Sequence, residues 1–409
     1  DKKCVFVARL EAIDFPEPNF KDILTSIIIP VKDSWDYTKA CLESIVRFTD
    51  VPYEVVIVDN GSEEPIFQYV KRWKDRNEKI PVRYLRFNEN KGFAGGCNGG
   101  ALVSSGDYLV FLNNDTLVTS GWLKGLLKPI ISDNSIGITG PVSNYVNGRQ
   151  RIEDCPIAFK SPANIDFGKL VAYASSISNK NSNTYMFTEV VMGLCLAIKK
   201  ELFDGIGGFD EMFYPGNFED ADLSMRIHRM GLKPVICMDV FVYHFGNKTF
   251  GSKETDYKDA YKKNLARFRD KWKAISPMDE ESMYHYILSH SSLIDKEAVP
   301  TKQNEIHHLI WTFDEKTIKD TIGFYLKGDL HKKMPLIIAS NGQNLEKEAQ
   351  LLQDAYPDGE LEEKGDITLF GGGLKELLSQ IEKEKRLFIY SFKSSISQDV
   401  IKSESMLLV

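Results

Sequence analysis

The sequence lacks the features that mark membrane-spanning, disulfide-stabilised and nucleic-acid-binding proteins. Its longest apolar run extends from Val190 to Ile198 and contains Gly193, whereas a transmembrane helix needs roughly 20 apolar residues. The 6 cysteines are scattered, end at Cys237 and include no C-x-x-C pair, which argues against a zinc ribbon or a disulfide framework and favours reduced thiols. The 51 Lys and Arg residues are outnumbered by 58 Asp and Glu residues, so no general basic field attracts a nucleic acid or an anionic bilayer. We therefore predict a cytoplasmic protein without a nucleic-acid partner, in which any phosphate ligand is held locally.

The chain contains enough apolar residues to form a complete hydrophobic core. Hydrophobic residues make up 43% and charged residues 27% of its 409 residues, as in ordinary folded globular proteins. At about 150 residues per domain, this length predicts two or three domains. The composition shifts towards Lys and Glu near residue 276, so we predict an N-terminal extension over 1–24, a main domain over 25–275 and a smaller C-terminal α/β domain over 276–409. The sequence begins with Asp1 rather than Met, so we also expect a longer native chain that carries further domains.

From Thr25 onwards, short Ile- and Val-rich runs alternate with segments of helical periodicity. The predicted strands cover 25–30, 54–59, 81–87 and 107–112, and the predicted helices cover 36–48, 65–76 and 93–105. This order predicts an α/β fold of the doubly wound, Rossmann-like kind, with a mostly parallel sheet and helices on both faces. Ligands of such sheets bind outside the carboxyl ends of the strands, so the chemistry is expected there.

A second block of predicted elements follows a Ser- and Asn-rich stretch over 144–183. It contains an apolar strand over 188–198, an acidic helix start over 218–223 and a helix over 254–273. In the C-terminal domain, the runs PLIIAS, DITLF and RLFIY predict strands. The glycines at 371–373 predict a tight turn or, alternatively, a phosphate contact.

Polar residues follow three of the predicted strands. Asp59 ends the second strand, where a buried carboxylate is costly unless it is paired or hydrogen-bonded. It either caps the following turn or accepts an N–H group from a pyrimidine base. Asn113, Asn114 and Asp115 follow the fourth strand and form either a turn or an oxygen-rich site for Mg²⁺ or Mn²⁺ that bridges a diphosphate.

The Gly-rich segment over 88–100 opens the third predicted helix. It matches neither the dinucleotide motif G-x-G-x-x-G nor a Walker loop, so a dehydrogenase or a kinase is disfavoured. Two interpretations stay open. Small residues allow the helix to pack closely on the sheet, or the helix N-terminus, with Lys91, also faces an anionic ligand.

Glu219, Asp220 and Asp222 crowd the start of a later predicted helix. Acidic residues stabilise the helix dipole at this position, and a histidine such as His244, taken alone, is most often structural. These acidic residues and the histidine are more informative about function when they are considered together. A metal-ligand candidate at Asp115, a carboxylate base at Asp220 and a histidine at 244 in one α/β crevice together favour catalysis.

Eight motifs, taken together, resemble the inverting glycosyltransferases of family 2, which have the GT-A fold. They are SIIIPVKD, VIVDNGS, NENKGFAGGCNGG, FLNNDT, MGLCLAI, GGFDE, FEDADL and the VYH that ends at His244. The resemblance is strongest to the rhamnosyl- and galactofuranosyl-transferase-like branch, and it leaves 1–24 and 276–409 uncovered. It implies metal-dependent, inverting transfer of a sugar from a UDP- or dTDP-sugar to a hydroxyl of a glycan, glycolipid or glycoprotein. It also implies a role in bacterial surface polysaccharide or glycoconjugate synthesis, in the cytoplasm or at the inner face of the membrane.

The resemblance assigns a role to each residue of the predicted crevice. Asp220 is implied as the general base, with Glu219 and Asp222 placing it or binding the acceptor. Asp115 and His244 are implied as the ligands of Mn²⁺ or Mg²⁺. The residues implied for the nucleotide sugar are Pro30, Val31, Asp33, Asp59, Lys91, Asn113 and Asn114. The first acid of the family's D-x-D motif is Asn113 here, so one negative charge near the metal is absent.

Two other functions are compatible with parts of this pattern. A sugar-nucleotide pyrophosphorylase shares the sheet and the substrate, but it carries a Gly-rich basic loop after the first strand, and IIIPVKDSW has no glycine. A non-catalytic module that binds sugar nucleotides or glycans is the other alternative. Asp115, Asp220 and His244 argue against it, and hydrolysis of the donor would separate the two.

Overall fold

The computed structural model describes residues 9–246, 254–274 and 280–289, and beyond them the backbone of five short strands. The strands are, in chain order, β1 (Arg9–Ala12), β2 (Thr25–Val31), β3 (Tyr53–Asn60), β4 (Val82–Phe87), β5 (Tyr108–Leu112), β6 (Thr116–Leu117), β7 (Ile136–Val142), β8 (Thr184–Phe187), β9 (Cys195–Lys199), β10 (Lys233–Phe241), β11 (Tyr243–His244), β12 (His308–Thr312), β13 (Leu336–Ser340), β14 (Glu362–Glu363), β15 (Phe388–Ser391) and β16 (Ser405–Leu408).

The helices follow the strands in the order expected of an α/β chain. They are α1 (Trp35–Phe48), α2 (Ile66–Lys74), α3 (Gly92–Leu102), α4 (Trp122–Ser132), α5 (Phe167–Lys180), α6 (Lys200–Gly205), α7 (Glu219–Arg229), α8 (Glu254–Lys271) and α9 (Glu280–Ser289). None of the helices described is both long enough and apolar enough to cross a membrane.

A ten-stranded sheet in the order β1-β8-β10-β7-β9-β5-β2-β3-β4-β16 forms the centre of the molecule. Strands β5, β2, β3 and β4 pair in parallel, as the alternation of strands and helices predicts. Strand β9 is antiparallel to both β5 and β7, β10 is parallel to β7, and β1 joins the edge through β8. The predicted α/β class, with a large sheet and helices around it, is confirmed.

The two faces of the sheet carry separate cores because successive side chains of a strand point to opposite sides. Ile27 and Ile29 of β2 pack with α1, α2 and α4. Ile28, which lies between them, packs with α3, α6 and α7 on the other face. The helices therefore cover both faces, and the carboxyl ends of the central strands remain available at one edge.

Helix α3 lies very close to the sheet because its inward residues are glycines. A Cβ atom built on Gly100 would come within 2.3 Å of Ile28 Cγ2, and one on Gly99 within 2.6 Å of the Phe87 ring. The close-packing interpretation of this segment is therefore confirmed.

Several elements were not anticipated, and one prediction was too long. Helices α4 and α5 and strand β7 lie in regions without a predicted element, with α5 inside the Ser- and Asn-rich stretch. The apolar run over 188–198 forms a strand only from Cys195, because the chain turns at Gly193 before it enters the sheet.

The strands of the C-terminal region agree in part with the sequence. Strands β12, β13, β15 and β14 form a separate four-stranded sheet, and β13 and β15 lie in the predicted runs PLIIAS and RLFIY. The run DITLF and the glycines at 371–373 lie outside the described residues. Strand β16 pairs antiparallel with β4 of the large sheet.

Candidate active site

Asp115 and His244 meet at a two-stranded ladder beyond the end of β5. Strands β6 and β11 pair antiparallel with His244 opposite Thr116, and the Phe245 N–H donates to the Asp115 carbonyl at 3.0 Å. This pairing places His244 Nε2 3.1 Å from Asp115 Oδ1. Both side chains are buried. The two predicted metal ligands are therefore in direct contact with each other in a buried position.

The other ring nitrogen of His244, Nδ1, forms a hydrogen bond with the backbone. Nδ1 lies 2.7 Å from the Tyr145 carbonyl, and a carbonyl only accepts hydrogen bonds, so Nδ1 carries a proton and Nε2 faces Asp115. Burial lowers the pKa of His244, but the hydrogen bond and charge of Asp115, with the Tyr145 carbonyl, raise it above its usual value. A histidine that donates one N–H to a carbonyl and directs the other nitrogen at a carboxylate fits a Mn²⁺ or Mg²⁺ site.

The turn that carries Asp115 is held from both sides. The Asn113 N–H donates to the Leu194 carbonyl at 2.9 Å, and its carbonyl accepts the Thr116 hydroxyl at 2.7 Å. The Asn114 amide is buried and donates to Thr38 Oγ1 of α1 at 3.0 Å. Asn113 and Asn114 therefore position the turn, and their contacts with a nucleotide sugar stay predictions.

Asp59 is fully buried at the end of β3 and has partners on both oxygens. Oδ1 accepts the Ser62 N–H at 2.9 Å, and Oδ2 accepts bonds from the Tyr84 hydroxyl and the Arg86 guanidinium. Burial, then the charge of Asp59, raises the pKa of Tyr84 well above its usual value. Asp59 thus caps the following turn, and its predicted contact with a base would need an exchange of these partners. Arg86, half-exposed on β4, was not recognised in the sequence.

Asp33 and Lys32 connect the loops that follow β2 and β3. Asp33 Oδ1 accepts the N–H groups of Glu63 and Glu64 at 2.7 and 2.9 Å. Lys32 donates to the Gly61 carbonyl at 2.7 Å. Pro30 and Val31 are buried residues at the end of β2, and their contact with a nucleotide sugar stays a prediction.

Lys91 lies directly before the first turn of α3. Its backbone N–H donates to Asn60 Oδ1 at 2.8 Å, and Asn60 Nδ2 donates to the Gly92 carbonyl at 2.9 Å. The ammonium group pairs with Glu89, which is exposed, at 2.8 Å. The Lys91 side chain is 9% exposed and that of Glu89 is 66% exposed, so Glu89 reaches the ammonium group from the solvent side, and contact of Lys91 with an anionic ligand stays a prediction. Asn60, which joins β3 to α3, was not singled out in the sequence.

Asp220 is half-buried in the first turn of α7 and its carboxylate is oriented by two backbone groups. Oδ2 accepts the Gly193 N–H and Oδ1 the Ala221 N–H, each at 2.8 Å. Burial raises the pKa of Asp220 above its usual value, although these hydrogen bonds oppose the shift. A fixed carboxylate with a raised pKa is suited to general base catalysis.

Glu219 is 5% exposed, and its Oε2 atom has no hydrogen-bond partner among the described residues. Burial, followed by the charge of Asp220, raises the pKa of Glu219 well above its usual value. The two neighbouring carboxyl groups therefore differ in environment. Both oxygens of Asp220 accept backbone N–H groups, whereas backbone hydrogen bonds within Glu219 and to Asn217 only partly oppose the rise in the pKa of Glu219.

Asp222 points away from the crevice, towards the end of α8. One oxygen accepts Arg226 Nε at 2.8 Å, and the other accepts Trp272 Nε1 at 2.9 Å and lies 2.7 Å from Lys271 Nζ. The side chain is fully buried. Asp222 can therefore place α7 against α8, whereas contact of its carboxylate with an acceptor does not fit this arrangement.

Helix α9 adds residues that the motifs do not indicate. Tyr284 of α9 packs in one apolar cluster with Phe218 and Ala221 of the α7 start. Glu280 accepts hydrogen bonds from the hydroxyls of Tyr261 and Tyr284, and its charge contributes to the raised pKa of Asp220. No sequence motif indicates Glu280, because it lies outside the segments that resemble a known family.

A second group of possible metal ligands lies elsewhere. Glu189, Glu281 and His285 bring their ligand atoms within 4.8 Å of one another. Arg149 pairs with Glu189 at 3.0 Å and also with Glu281. Because a guanidinium already occupies the space between the carboxylates, we interpret this group as an ion-pair network that joins α9 to the loop after β7.

The segment Gly193–Leu194 connects the two halves of the candidate site. The Gly193 N–H binds Asp220, and the Leu194 carbonyl accepts the Asn113 N–H of the turn that carries Asp115. The Asp220 carboxylate and the turn that carries Asp115 are therefore hydrogen-bonded to adjacent residues, beside the carboxyl end of β5.

Part of the chain matches a known family model. Residues 26–180 match the family model "Glycosyl transferase family 2". The chain is 28% identical over 220 residues to the O-antigen biosynthesis protein RfbC of Myxococcus xanthus, a match that covers 52% of this chain and 16% of RfbC. It is 26% identical over 237 residues to the chondroitin synthase of Pasteurella multocida, covering 53% of this chain and 24% of the synthase. The chain thus spans a quarter or less of these two relatives.

Solved structures with a similar shape were also found. A mannosyltransferase from Pyrobaculum calidifontis in complex with GDP-Man and Mn²⁺ has a TM-score of 0.46 and 20% identity, covering 68% of this chain and 71% of that chain. GalNAc-T7 with UDP, GalNAc and Mn²⁺ has a TM-score of 0.48 and 20% identity, covering 84% and 61%.

Proposed function

Residues 26–180 match the model of glycosyltransferase family 2, and from this we propose that the chain is an inverting glycosyltransferase of that family. It would move a sugar from a UDP- or dTDP-sugar to a hydroxyl of a glycan, glycolipid or glycoprotein acceptor. The observation that carries the proposal is the Gly193–Leu194 segment, which holds Asp220 with one peptide group and the Asp115 turn with the next. The base and the metal ligands can thus act on one donor.

Asp115 and His244 would hold Mn²⁺ or Mg²⁺. When bound, the cation would neutralise the charge that develops on the departing nucleoside diphosphate. Only one carboxylate and one imidazole face this position in the described part of the chain, since Asn113 replaces an acid. Substrate phosphate oxygens are therefore expected to complete the coordination.

Asp220 would accept the proton of the acceptor hydroxyl as that oxygen attacks the anomeric carbon. The Gly193 and Ala221 N–H groups keep its carboxylate in one orientation. Its raised pKa brings the base closer to the proton affinity that the reaction needs. A single displacement with this base inverts the anomeric centre, and Glu219 would support Asp220 from the buried side.

The wider setting of the reaction is also proposed. Relatives named for O-antigen biosynthesis and chondroitin synthesis support an acceptor in polysaccharide or glycoconjugate synthesis, and we retain the rhamnosyl- and galactofuranosyl-transferase-like branch as a prediction. We propose residues 25–275 as the catalytic domain and 276–409 as a second α/β domain. The five described cysteines are free thiols, which supports the cytoplasm, including the inner face of the membrane, as the location.

A donor screen tests this function. The full chain would be heated with UDP-, dTDP- and GDP-sugars in the presence of Mn²⁺, and the stabilising donor would then be assayed for hydrolysis and transfer. We expect one donor class to raise the melting temperature and to be turned over. Stabilisation without turnover would instead indicate a binding module, and formation of a nucleoside triphosphate from donor and pyrophosphate would indicate a pyrophosphorylase.

A further inference from the structure

A groove between α1 and α2 lies apart from every residue that the proposed function uses. Its volume is about 400 Å³, within the roughly 300–1,000 Å³ range of ligand-binding clefts. Both helices pack on the same face of the sheet, and the groove is lined by their side chains and by the turn that follows α2.

The groove is basic, although the chain as a whole carries a charge of −7. Its lining includes the cations Lys39, Arg47, Arg72 and Arg76, all of which are exposed. Glu43, the acidic residue of the lining, faces Lys39 at 3.7 Å with both side chains about half exposed, so this pair is weak. The charge of the groove therefore favours an anionic ligand.

Aromatic rings form the other part of the lining. Trp35 and Tyr69 lie with their ring centroids 5.4 Å apart and their planes 31° from one another, and Arg72 lies over the Tyr69 ring at 5.6 Å. Trp73 is 6% exposed, and its Nε1 donor has no hydrogen-bond partner in the part of the chain that the structure describes. A buried donor without a partner is costly, so a ligand oxygen there would relieve this cost.

We propose that the groove binds an acidic oligosaccharide. The apolar C–H face of a sugar ring can pack on Trp35 and Tyr69, while Arg72 and Arg76 bind carboxylate groups through charge-assisted hydrogen bonds. The concave shape and the recessed Trp73 ring fit a chain of sugar rings better than a flat bilayer. The proposal extends the proposed function, since the groove would hold a remote part of a glycan chain.

Calorimetric titration of the full chain tests the proposal. The probes are a hyaluronan hexasaccharide, which carries carboxylates, and chitohexaose, which is neutral, at physiological ionic strength. We expect the hyaluronan hexasaccharide to bind about tenfold or more tightly than chitohexaose. The double variant Arg72→Gln/Arg76→Gln should weaken that binding by about tenfold or more, because it removes two charge-assisted contacts.

The control is Lys71→Gln/Lys79→Gln, which removes the same charge from exposed positions outside the lining. It should change hyaluronan binding by less than about twofold, since it leaves every proposed contact in place. Equal losses in the two double variants, equal affinity for the neutral probe, or displacement of the hexasaccharide by UDP with Mn²⁺ would each overturn the proposal. Binding to phosphatidylglycerol vesicles without binding to the hexasaccharide would overturn it in favour of a membrane surface.

The failure of this proposal is distinguishable from a failure of the proposed function. Binding is measured without turnover, and the substituted arginines lie outside the crevice. A chain that binds the hexasaccharide but transfers no sugar would contradict the proposed function alone. A chain that transfers sugar but shows no charge-selective binding would contradict the groove proposal alone.

Discussion

His244 Nε2 lies 3.1 Å from Asp115 Oδ1, although the two residues are 129 positions apart in the sequence. The contact depends on two short strands, β6 and β11, which pair over only two residues each. Asp115 and His244 would each offer one ligand atom to a divalent cation. The pair is therefore a direct target for tests of metal dependence.

Substitution of either ligand should remove the coupling between metal and donor. We expect Asp115→Ala and His244→Ala each to lower kcat/KM by about 100-fold or more, because charge neutralisation of the leaving group is worth several kcal/mol. Calorimetry should show that Mn²⁺ no longer strengthens donor binding in either variant. His285→Gln, which alters a histidine in the other carboxylate group, should retain the coupling. Full activity in excess EDTA would rule out this role for the pair.

Asp220→Asn should abolish transfer while donor affinity stays nearly unchanged. A base acts in the transition state, so its loss is expected to lower kcat by about 10²- to 10⁴-fold with little effect on ground-state binding. Turnover and calorimetric donor binding measure the two quantities separately. If Asp220→Asn keeps near wild-type turnover while Glu219→Gln is inactive, the base is Glu219.

Asp222→Ala should affect stability more than chemistry. The change would remove the carboxylate that pairs with the buried Arg226 and accepts from Trp272 Nε1, while Lys271 keeps Asp210. Breaking a buried pair costs about 3–5 kcal/mol. Chemical denaturation should detect this loss in the free energy of unfolding. Asp259→Ala, at an exposed position of α8, should change it by less than about 0.5 kcal/mol. A stable but inactive Asp222→Ala variant would contradict the placing role.

Glu280→Gln should move the acid limb of the pH profile to lower pH. Asp220 must be deprotonated to act, and its pKa is raised mainly by burial and further by the charge of Glu280. Removal of that charge lowers the pKa of Asp220, so activity persists at a lower pH. The carboxyl group of Glu219 and the hydroxyls of Tyr261 and Tyr284 remain in both the original chain and the variant. The measurement is kcat/KM against pH.

Glu281→Gln is the matched control for this experiment. Glu281 is the next residue of α9, but it pairs with Arg149 and does not contribute to the raised pKa of Asp220. Its substitution should leave the acid limb in place. An equal shift in both variants would mean that α9 acts through its packing rather than through the charge of Glu280.

The stereochemistry of the product tests the mechanism independently of the donor sugar. One base and a single displacement predict inversion, so an α-linked donor gives a β-glycoside and a β-linked donor such as dTDP-L-rhamnose gives an α-glycoside. Proton NMR of the earliest product reads the anomeric configuration. A product that keeps the configuration of the donor would exclude the role proposed for Asp220.

The sequence predicted the positions of Asp59, Asp115 and Asp220 because each lies at the end of a strand or the start of a helix that periodicity can locate. Their partners were not predictable in the same way. Arg86 faces Asp59 because β3 and β4 pair in one particular register, and local periodicity contains no information about lateral register. Sheet pairing thus decides whether a carboxylate is open to a ligand or already bonded.

The residues at the outer part of the candidate site could not be predicted from the sequence either. Glu280 approaches Asp220 only because α9 packs its apolar residues against α7 and α8, a long-range contact that no local pattern specifies. Helix α5 was missed for a different reason. Its Ser- and Asn-rich composition has low helix propensity, and burial of Leu170 and Ala174 supplies the compensating contact.

The Gly193–Leu194 segment has a consequence for which sequence changes this fold can accept. Both of its connections are made by backbone atoms, so most substitutions at these two positions leave the donor and acceptor atoms intact. Gly193 is the partial exception, since a Cβ atom there would lie 3.4 Å from Asp220 Oδ2. An insertion or deletion of one residue would shift the two peptide groups relative to each other and separate Asp220 from the Asp115 turn. Length conservation of this segment should therefore be a stricter requirement than conservation of its residue types.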